Sequence, residues 1–597
     1  MKKIKSILFF GLLFHSFVFA AEFNVNDIAD TDDNNAGDGI CATIMGGCTL
    51  RAAITEANSF AGADTINLPS GIYNTSSSLS ITSAITIIGE NPDTTIVDAN
   101  DSARVFSINN SQPLTMSGFT IQGGNAGTSG HGGGIFINSS NDVTLSGMNI
   151  SNNSANVGGG IASGSQANQL DIVASVIEQN SGITGGAGPS TSWGGAIHFG
   201  RGTITITGST IRDNTADVGG ALHIGSSFIT DLTIRNTTVS NNTATVQESG
   251  GGAEMGGNGG AIHQGGAATK IINSTISNNK AFNSGGGIIL VNGFSSVSLF
   301  NTTIVNNIAD FDENGNGQGG GIFGGPLSGG GGLNLELSNS IVAENISNSG
   351  VGPDCQSTTL GIISNGYNII GNNTNCSFIA NVGDQIGDST TPFDPMTGPL
   401  ADNGGSTFTH ALLAGSPAID AGNPTGCVDN NGVTINTDQR GETRPLDGGG
   451  GTSICDIGAY ETIPYPIADA GDDQVVAFGD TVFLTGTGSS AASGIALYSW
   501  VQLPSETVTL VDATTDTASF VAPDASTVLT FELTVIDNNG AESSDTVTVA
   551  VNQAANQAPG NSTPNNSSTN GGGGGAGPII LLLLIGLITW RKQKWNL

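Results

Sequence analysis

The chain has 597 residues, 91 of them glycine; only 11% are charged, yet the formal charge is −34. Six of the fifteen basic residues sit at the ends (Lys2, Lys3, Lys5, Arg591, Lys592, Lys594), so the body sets nine against all 49 acidic ones. That balance excludes a nucleic-acid-binding protein in the ordinary sense, because phosphate neutralisation needs clustered Lys and Arg; glycine without a Gly-X-Y period excludes collagen, and the abundant β-branched residues exclude a wholly disordered chain.

Residues 1–20 read as a secretory signal peptide. Lys2, Lys3 and Lys5 form the positive start, Ile7 to Val18 is mostly apolar, and Ala20 supplies the small residue at the cut. Export makes disulfides possible. Residues 21–64 are expected to form an N-terminal cap. Within them Leu50, Ala53, Ile54 and Ala57 form one apolar stripe, which predicts a short helix. An open solenoid end exposes unpaired strand edges, and such a helix can cover them.

A repeat begins near residue 65. A Gly-Gly turn leads into a short apolar strand at Ile135, Ile161, Ile197, Leu222, Ile262, Ile288 and Ile322. A second strand is anchored at Ile150, Ile177, Ile211, Val239, Ile276 and Ile304, with alternating apolar residues before it. Three residues after each anchor stands an asparagine: Asn153, Asn180, Asn214, Asn242, Asn279 and Asn307. Ala155, Ala216, Ala244, Ala281 and Ala309 follow two residues later, with Gly182 in the remaining unit. Short strands, a varying period and a stacked amide column predict an all-β chain built on a right-handed parallel β-helix over 65–350. Helical solenoids are excluded because the apolar spacing is two.

Specific motifs flank the array. Asp30-Thr-Asp32-Asp33-Asn34 to Cys41, then Cys48-Thr-Leu-Arg-Ala-Ala-Ile54, is similar to the CSLREA motif, with Ala52 where that motif has Glu. Leu400-Ala-Asp402-Asn403-Gly404-Gly405, Ser416-Pro-Ala-Ile-Asp420, Asp438-Gln-Arg440-Gly441 and Cys455 to Glu461 resemble the choice-of-anchor Q region of bacterial surface β-helix proteins. Both resemblances imply a surface-displayed β-helix and carry no reaction. Residues 351–463 are accordingly expected to continue the β-helix into that anchor region.

Over 464–552 glycine falls and alternation becomes regular. Val475-Val476, Val482 to Leu484, Tyr498 to Trp500, Phe531 to Val535 and Val547 to Val549 read as sandwich strands, with Trp500 the core aromatic and Asp537 to Gly540 a turn. This segment resembles a PKD-type immunoglobulin-like module, a spacer or glycan-contact domain. Residues 553–577 are a charge-free Asn/Ser/Pro/Gly linker, and 578–597 an apolar tail ending in Arg591, Lys592 and Lys594. Thirteen apolar residues are short for a membrane span, although the basic end suits the cytoplasmic face. Glycine run, apolar stretch and basic end resemble the GlyGly-CTERM sorting signal of Gram-negative bacteria, which implies transient membrane attachment, processing by a rhomboid-type protease, and surface display or release.

The six cysteines fall in three local pairs, Cys41/Cys48, Cys355/Cys376 and Cys427/Cys455, and are expected to form disulfides, although fifteen connectivities are open. Zinc is not expected, since no CxxC occurs. His198, His223 and His263 share one repeat position, beside the glycine corner and pointing outward. They are candidate ligand contacts or metal ligands, or simply semi-polar fillers of an exposed ladder. Insertions at Ile183–Trp193, Thr245–Asn258 and Asp310–Gln318 enter at that corner and bring Trp193, Glu248, Glu254 and Met255. Trp193 is placed to stack on a sugar, or else to anchor its loop. Trp193, the three histidines and Glu254 are the candidate ligand-binding residues.

Asp310, Asp312 and Asn314 match the first half of a calcium loop, and Asp30, Asp32, Asn34 and Asp38 offer a second hard-oxygen set. Calcium is therefore the one cofactor expected. Solvated acidic loops are the alternative, because position 321, where the closing Glu would stand, is glycine. Asp420, Asp438, Arg440, Asp456 and Glu461 are expected to be a structural ion-pair network.

Two functions compete. One is an exported surface or secreted protein, a monomer, that binds an extracellular glycan or surface receptor on one face of the helix. The other is a polysaccharide lyase or glycoside hydrolase on the same fold, drawing on Glu178, Asp213, Asp217 and Arg212. The acidic body disfavours anionic substrates, the basic residues make no obvious groove, and no catalytic set is assigned, so binding is preferred.

Overall fold

A computed structural model describes residues 20–553, apart from 110–111, 139–141, 165–167, 186–190, 226–229, 246–255, 292–294, 326–333, 358–360, 430, 449–451, 464–465, 492–493, 505–506 and 539–540. The signal peptide, the linker and the tail therefore lie outside the described residues, apart from residue 20 and residue 553. The chain divides into two units, one of residues up to Asp469 with Gly488–Tyr498 and Thr534–Ser544, the other of Ala470–Thr487, Ser499–Leu533 and Asp545 onward.

The first unit is a parallel β-helix. Its strands stack into a twelve-stranded, a ten-stranded, a second twelve-stranded and a seven-stranded sheet, each of which adds one strand per coil. We call them the first to fourth sheets. The first opens with Glu22–Asn24, paired in parallel with Asp64–Leu68, so the helix begins inside the expected capping segment. Alternation sets the faces: Ile204 and Ile206 are wholly buried, while Thr203 between the coil's glycine and Ile204 is exposed.

The predicted helix is Leu50–Ser59, packed on Asp64–Leu68 and Leu79–Ile81. Thr49 caps it, its Oγ1 accepting from Ala52 N at 3.0 Å. Ala52 is fully buried, which leaves no room for a longer side chain without repacking. Glu56, also fully buried, accepts from Gly37 N and Gly39 N and ties the acidic loop to the helix.

The asparagine column is continuous. Each of Asn153, Asn180, Asn214, Asn242, Asn279 and Asn307 donates Nδ2 to the next Oδ1 at 2.9–3.0 Å, and each backbone N does the same at 2.9–3.1 Å. The column runs one asparagine further, to Asn345, and ends on Asp354, whose Oδ1 accepts both Asn345 donors. Burial pushes Asp354 up to about 6. The residue before each asparagine is left-handed, Asp213 (φ 57°) among them, so Asp213 occupies a turn position. The alanines after the column are buried, and a Cβ on Gly182 would meet Ala216 Cβ at 2.8 Å.

The anchor region departs from expectation. Coils continue only to Gln385–Ile386; from Phe393 to Glu461 the chain turns back as a strap along the outer face of the third sheet. Leu412, Ala418 and Ile457 pack there on Val305, Ile341, Ala343 and Ile369. Polar clamps fix the strap: Gln439 Nε2 donates to Thr238 Oγ1 at 2.9 Å, Thr275 Oγ1 donates to Gln439 Oε1 at 2.7 Å, and Arg235 pairs with Asp429 at 3.2 Å. The expected ion-pair network lies inside it. Arg444 and Glu461, both fully buried, meet at 2.7 Å, and Arg440 meets Asp438 at 2.7 Å. Burial and the charge of Glu461 push Asp456 up to about 7.

Three disulfides form, Cys41–Cys48, Cys355–Cys376 and Cys427–Cys455, all between the local pairs. The C-terminal sheets comprise Gln474–Ala477, Glu542–Asn552, Thr527–Asp537 and Ile495–Leu503 in one, and Thr481–Thr485 with Thr517–Val521 in the other. Trp500 is buried beneath them, as expected, but its Nε1 has no hydrogen-bond partner.

Candidate functional site

The second sheet carries the histidine row. Its strands Ile135–Ile137, Ile161–Ser163, Ile197–Phe199, Leu222–Ile224 and Ile262–Gln264 pair in register, so Phe136, Ala162, His198, His223 and His263 follow one another coil by coil. Their neighbours Ile135, Ile197 and Ile262 belong to the interior core, which puts the row on the opposite face. The row is less open than expected: His223 is 7% exposed and Ile289, next in register, is wholly buried. The glycine corner folds over it. A Cβ on Gly285 would meet Ile289 Cβ at 2.7 Å, and Gly194, Gly219 and Gly259 all turn at φ of 66–72°.

His198 and His223 contact each other through Nδ1, 2.9 Å apart, with ring centroids separated by 4.9 Å. Nitrogens that close at this centroid distance mean rings meeting edge to edge, so one imidazole donates and the other accepts. His263 lies 5.0 Å from His223, and its buried Nδ1 has no partner. Burial lowers all three, His198 and His263 to about 4 and His223 well below its ordinary value. The row is uncharged at neutral pH.

Trp193 completes the group. Its ring centroid lies 4.9 Å from His223 and 6.0 Å from His198, and 38% of the residue is exposed. The insertion that carries it is held at both ends. Asn156 Nδ2 donates to Ile183 O at 3.1 Å and to Thr191 O at 3.3 Å. Asp217 Oδ2 accepts from Ser192 N at 2.9 Å and Oγ at 3.0 Å, while its Oδ1 accepts from Thr245 Oγ1 at 3.2 Å. The sequence placed Asp217 among possible catalytic acids; it is a buried bracket that joins two insertions beside Trp193. Glu254, with Glu248 and Met255, lies outside the described residues.

The same edge continues toward the N-terminus. His131, Val157 and Trp193 are in parallel register at the turn before the row. His131 is exposed and its ring lies 5.4 Å from that of Phe136. The Arg104 guanidinium sits 4.9 Å from the Phe136 centroid, and its Nε donates to His131 O and Gly132 O at 2.9 and 3.0 Å.

The other candidates are separately engaged. Glu178 pairs with Arg212 at 2.7 Å and Asp213 with Arg212 at 3.8 Å, on the third sheet and the turn after it, away from Asp217. Burial raises Asp213 and Arg212 opposes that rise. Asp310 accepts from Gly315 N with both oxygens, and Asn314 donates to Asp312 Oδ2 at 2.7 Å. Asp30 meets Arg51 at 2.6 Å and accepts from Ser76; Asn34 donates to Thr43 O; Asp38 accepts from Asn35 and Ile40; Asp32 is exposed. Among the described residues no group of three His, Cys, Asp or Glu side chains is arranged to hold a metal ion.

One pair escaped the sequence reading. His410 Nε2 lies 2.8 Å from Ser277 Oγ, and its Nδ1 lies 2.7 Å from Gly398 O. Donation from Nδ1 to that carbonyl leaves Nε2 to accept from the serine. Both side chains are buried, so the pair clamps the strap to the third sheet. No spacing could reveal it, because the partners are 133 residues apart.

The comparisons concern the C-terminal module. A family model for a PKD domain matches residues 470–551. The solved PKD domain from KIAA 1837 protein is similar at 28% identity and TM-score 0.14, covering 16% of this chain and 92% of that one. A nucleoside hydrolase-related hypothetical protein from Saccharophagus degradans, described as associated with carbohydrate metabolism, is similar at 21% identity and TM-score 0.15; 16% of this chain and 28% of that chain are covered. No curated protein matches. Among the described residues no helix is long and apolar enough to cross a membrane. A PKD domain and three disulfides accord with an extracellular, surface-type protein, and residues 470–551 of this chain are a PKD domain.

Proposed function

We propose that this chain is an exported β-helix protein, displayed on or released from the cell surface, that binds an extracellular glycan on the edge formed by Trp193, His198 and His223. The observation that carries this reading is a partly exposed indole fixed against two uncharged imidazoles. An exposed aromatic face stacks on the C–H face of a sugar, and imidazole nitrogens can exchange hydrogen bonds with hydroxyls. The parallel sheet beneath supplies a rigid base, so little ordering is lost on binding. The acidic body favours a neutral ligand. Hydrolysis has weaker support, since Glu178 and Asp213 both face Arg212 and Asp217 is consumed by Ser192 and Thr245.

The test incubates the purified chain with soluble neutral and anionic polysaccharides and reads retention and polymer length from the same samples. Retention by a neutral polymer without shortening, reduced at least tenfold in Trp193→Ala, is the expected result. Shortening that disappears in Arg212→Ala would replace binding with catalysis.

A further inference from the structure

The Trp193 platform has a counterpart along the same edge. Strand register places His131 two coils before Trp193, and Phe136 two coils before His198. Coils repeat at about 4.8 Å, so the platforms stand about 10 Å apart along the helix axis. Each pairs an exposed ring with a half-buried or buried aromatic one: His131 with Phe136, Trp193 with His198 and His223. The side chains between them are small, Val157 in one row and the wholly buried Ala162 in the other. Beyond Trp193 the row becomes flush, since Val218 and Asn258 are 4% and 3% exposed. The strip therefore has two platforms and an end.

Resting on the glycan-binding reading, we infer that the two platforms are successive subsites for an extended, neutral β-1,4-linked glycan chain lying along the helix axis. In such a ribbon alternate sugars present the same face, and two sugar units advance about as far as two coils. Trp193 takes one sugar and His131 with Phe136 takes the second sugar along. An α-1,4-linked chain curls and cannot meet both platforms. Arg104 backs the second subsite from behind Phe136; among the described residues its Nη groups donate to nothing, so they are free to reach sugar hydroxyls. Burial, and secondarily the Arg104 charge, lowers His131, so both platforms are neutral at pH 7.

The test is calorimetric titration of the full chain with cellobiose, cellotetraose, maltose and maltotetraose, and with the corresponding oligogalacturonate. The expected result is at least a tenfold gain from cellobiose to cellotetraose, absent between maltose and maltotetraose. His131→Ala, an exposed position, and Phe136→Leu, which keeps apolar volume, each reduce that gain at least fivefold. Trp193→Ala weakens every β-linked oligomer. A gain that survives both His131→Ala and Phe136→Leu overturns the second subsite while leaving the Trp193 reading intact. Binding indifferent to Trp193→Ala, no binding by any oligomer, or preference for the oligogalacturonate overturns the glycan assignment as well.

Discussion

Asparagine 242 stands in the middle of the amide column, and replacing it with the isosteric aspartate reverses one side of its chemistry. Its Nδ2 donates to Ile211 O at 3.0 Å, Ser240 O at 2.9 Å and Asn279 Oδ1 at 2.9 Å, while its Oδ1 accepts from Asn214 N and Nδ2. In Asn242→Asp the three acceptors face an oxygen. Protonated, the acid has one O–H for three acceptors and leaves two unpaired, at about 1–3 kcal/mol each. Ionised, it adds a buried unpaired charge, so the loss at neutral pH is about 5 kcal/mol. For a unit of roughly 400 residues, melting entropy is about 0.8 kcal/mol per degree, so Tm falls by about 6 °C. The folded acid holds its proton more tightly than the unfolded one. The gap to the wild type is therefore smaller at pH 4 and widens as pH rises. Asn241→Asp is the control: that residue is exposed and left-handed at φ 56°, a conformation Asp tolerates, so its Tm changes by about 1 °C or less. Thermal melts by circular dichroism read both. Equal shifts for the two variants, or an Asn242→Asp melt within about 1 °C of wild type, would refute the reasoning.

Other outcomes follow from the same structure. His198 and His263 have folded values near 4 against an ordinary 6.5, so the stability they contribute is present above pH 6.5 and lost as pH falls toward 4. For one such group this is on the order of 3 kcal/mol, and His198→Phe makes the acid limb of the Tm–pH curve shallower; an unaltered limb contradicts the burial. Arg444→Met strands the Glu461 carboxylate and the carbonyls of Asp456, Gly458 and Tyr460. About 4 kcal/mol is lost, and thermolysin cuts within residues 393–461 faster than in wild type; equal cleavage rates would contradict the strap's dependence on this pair. The acidic loop at Asp310 is closed by its own N–H groups, so chelating calcium shifts Tm by less than about 2 °C, whereas a large drop on chelation would restore calcium to a structural role.

The helix was legible because its cause is local. Alternating apolar residues, the Asn column and the three cysteine pairs all recur within one coil or its neighbour, and the register of His198, His223 and His263 follows from the glycine corner alone. The strap was not legible. Its clamps join residues such as Thr238 and Gln439, 201 positions apart, through polar groups with no period of their own. The cover over the histidines was missed because glycine turns appear in sequence as space, whereas here they fold back over the row as a tight roof. Trp193 was legible as a loop aromatic; its bracket, Asp217, was not, because a buried carboxylate that accepts from loop hydroxyls and an N–H looks in sequence like a candidate acid.

The central claim is that Trp193 is the contact surface for a neutral glycan. The chain has four tryptophans, at positions 193, 500, 590 and 595. Trp500→Phe is tolerable because the indole Nε1 bonds nothing, and with Phe also at 590 and 595 the emission reports Trp193 alone. Titrating that variant with a soluble β-1,4-linked glucan should give a saturable blue shift and protection from iodide quenching. Emission and quenching that stay constant while the polymer is retained by the protein would place the ligand elsewhere and contradict the account.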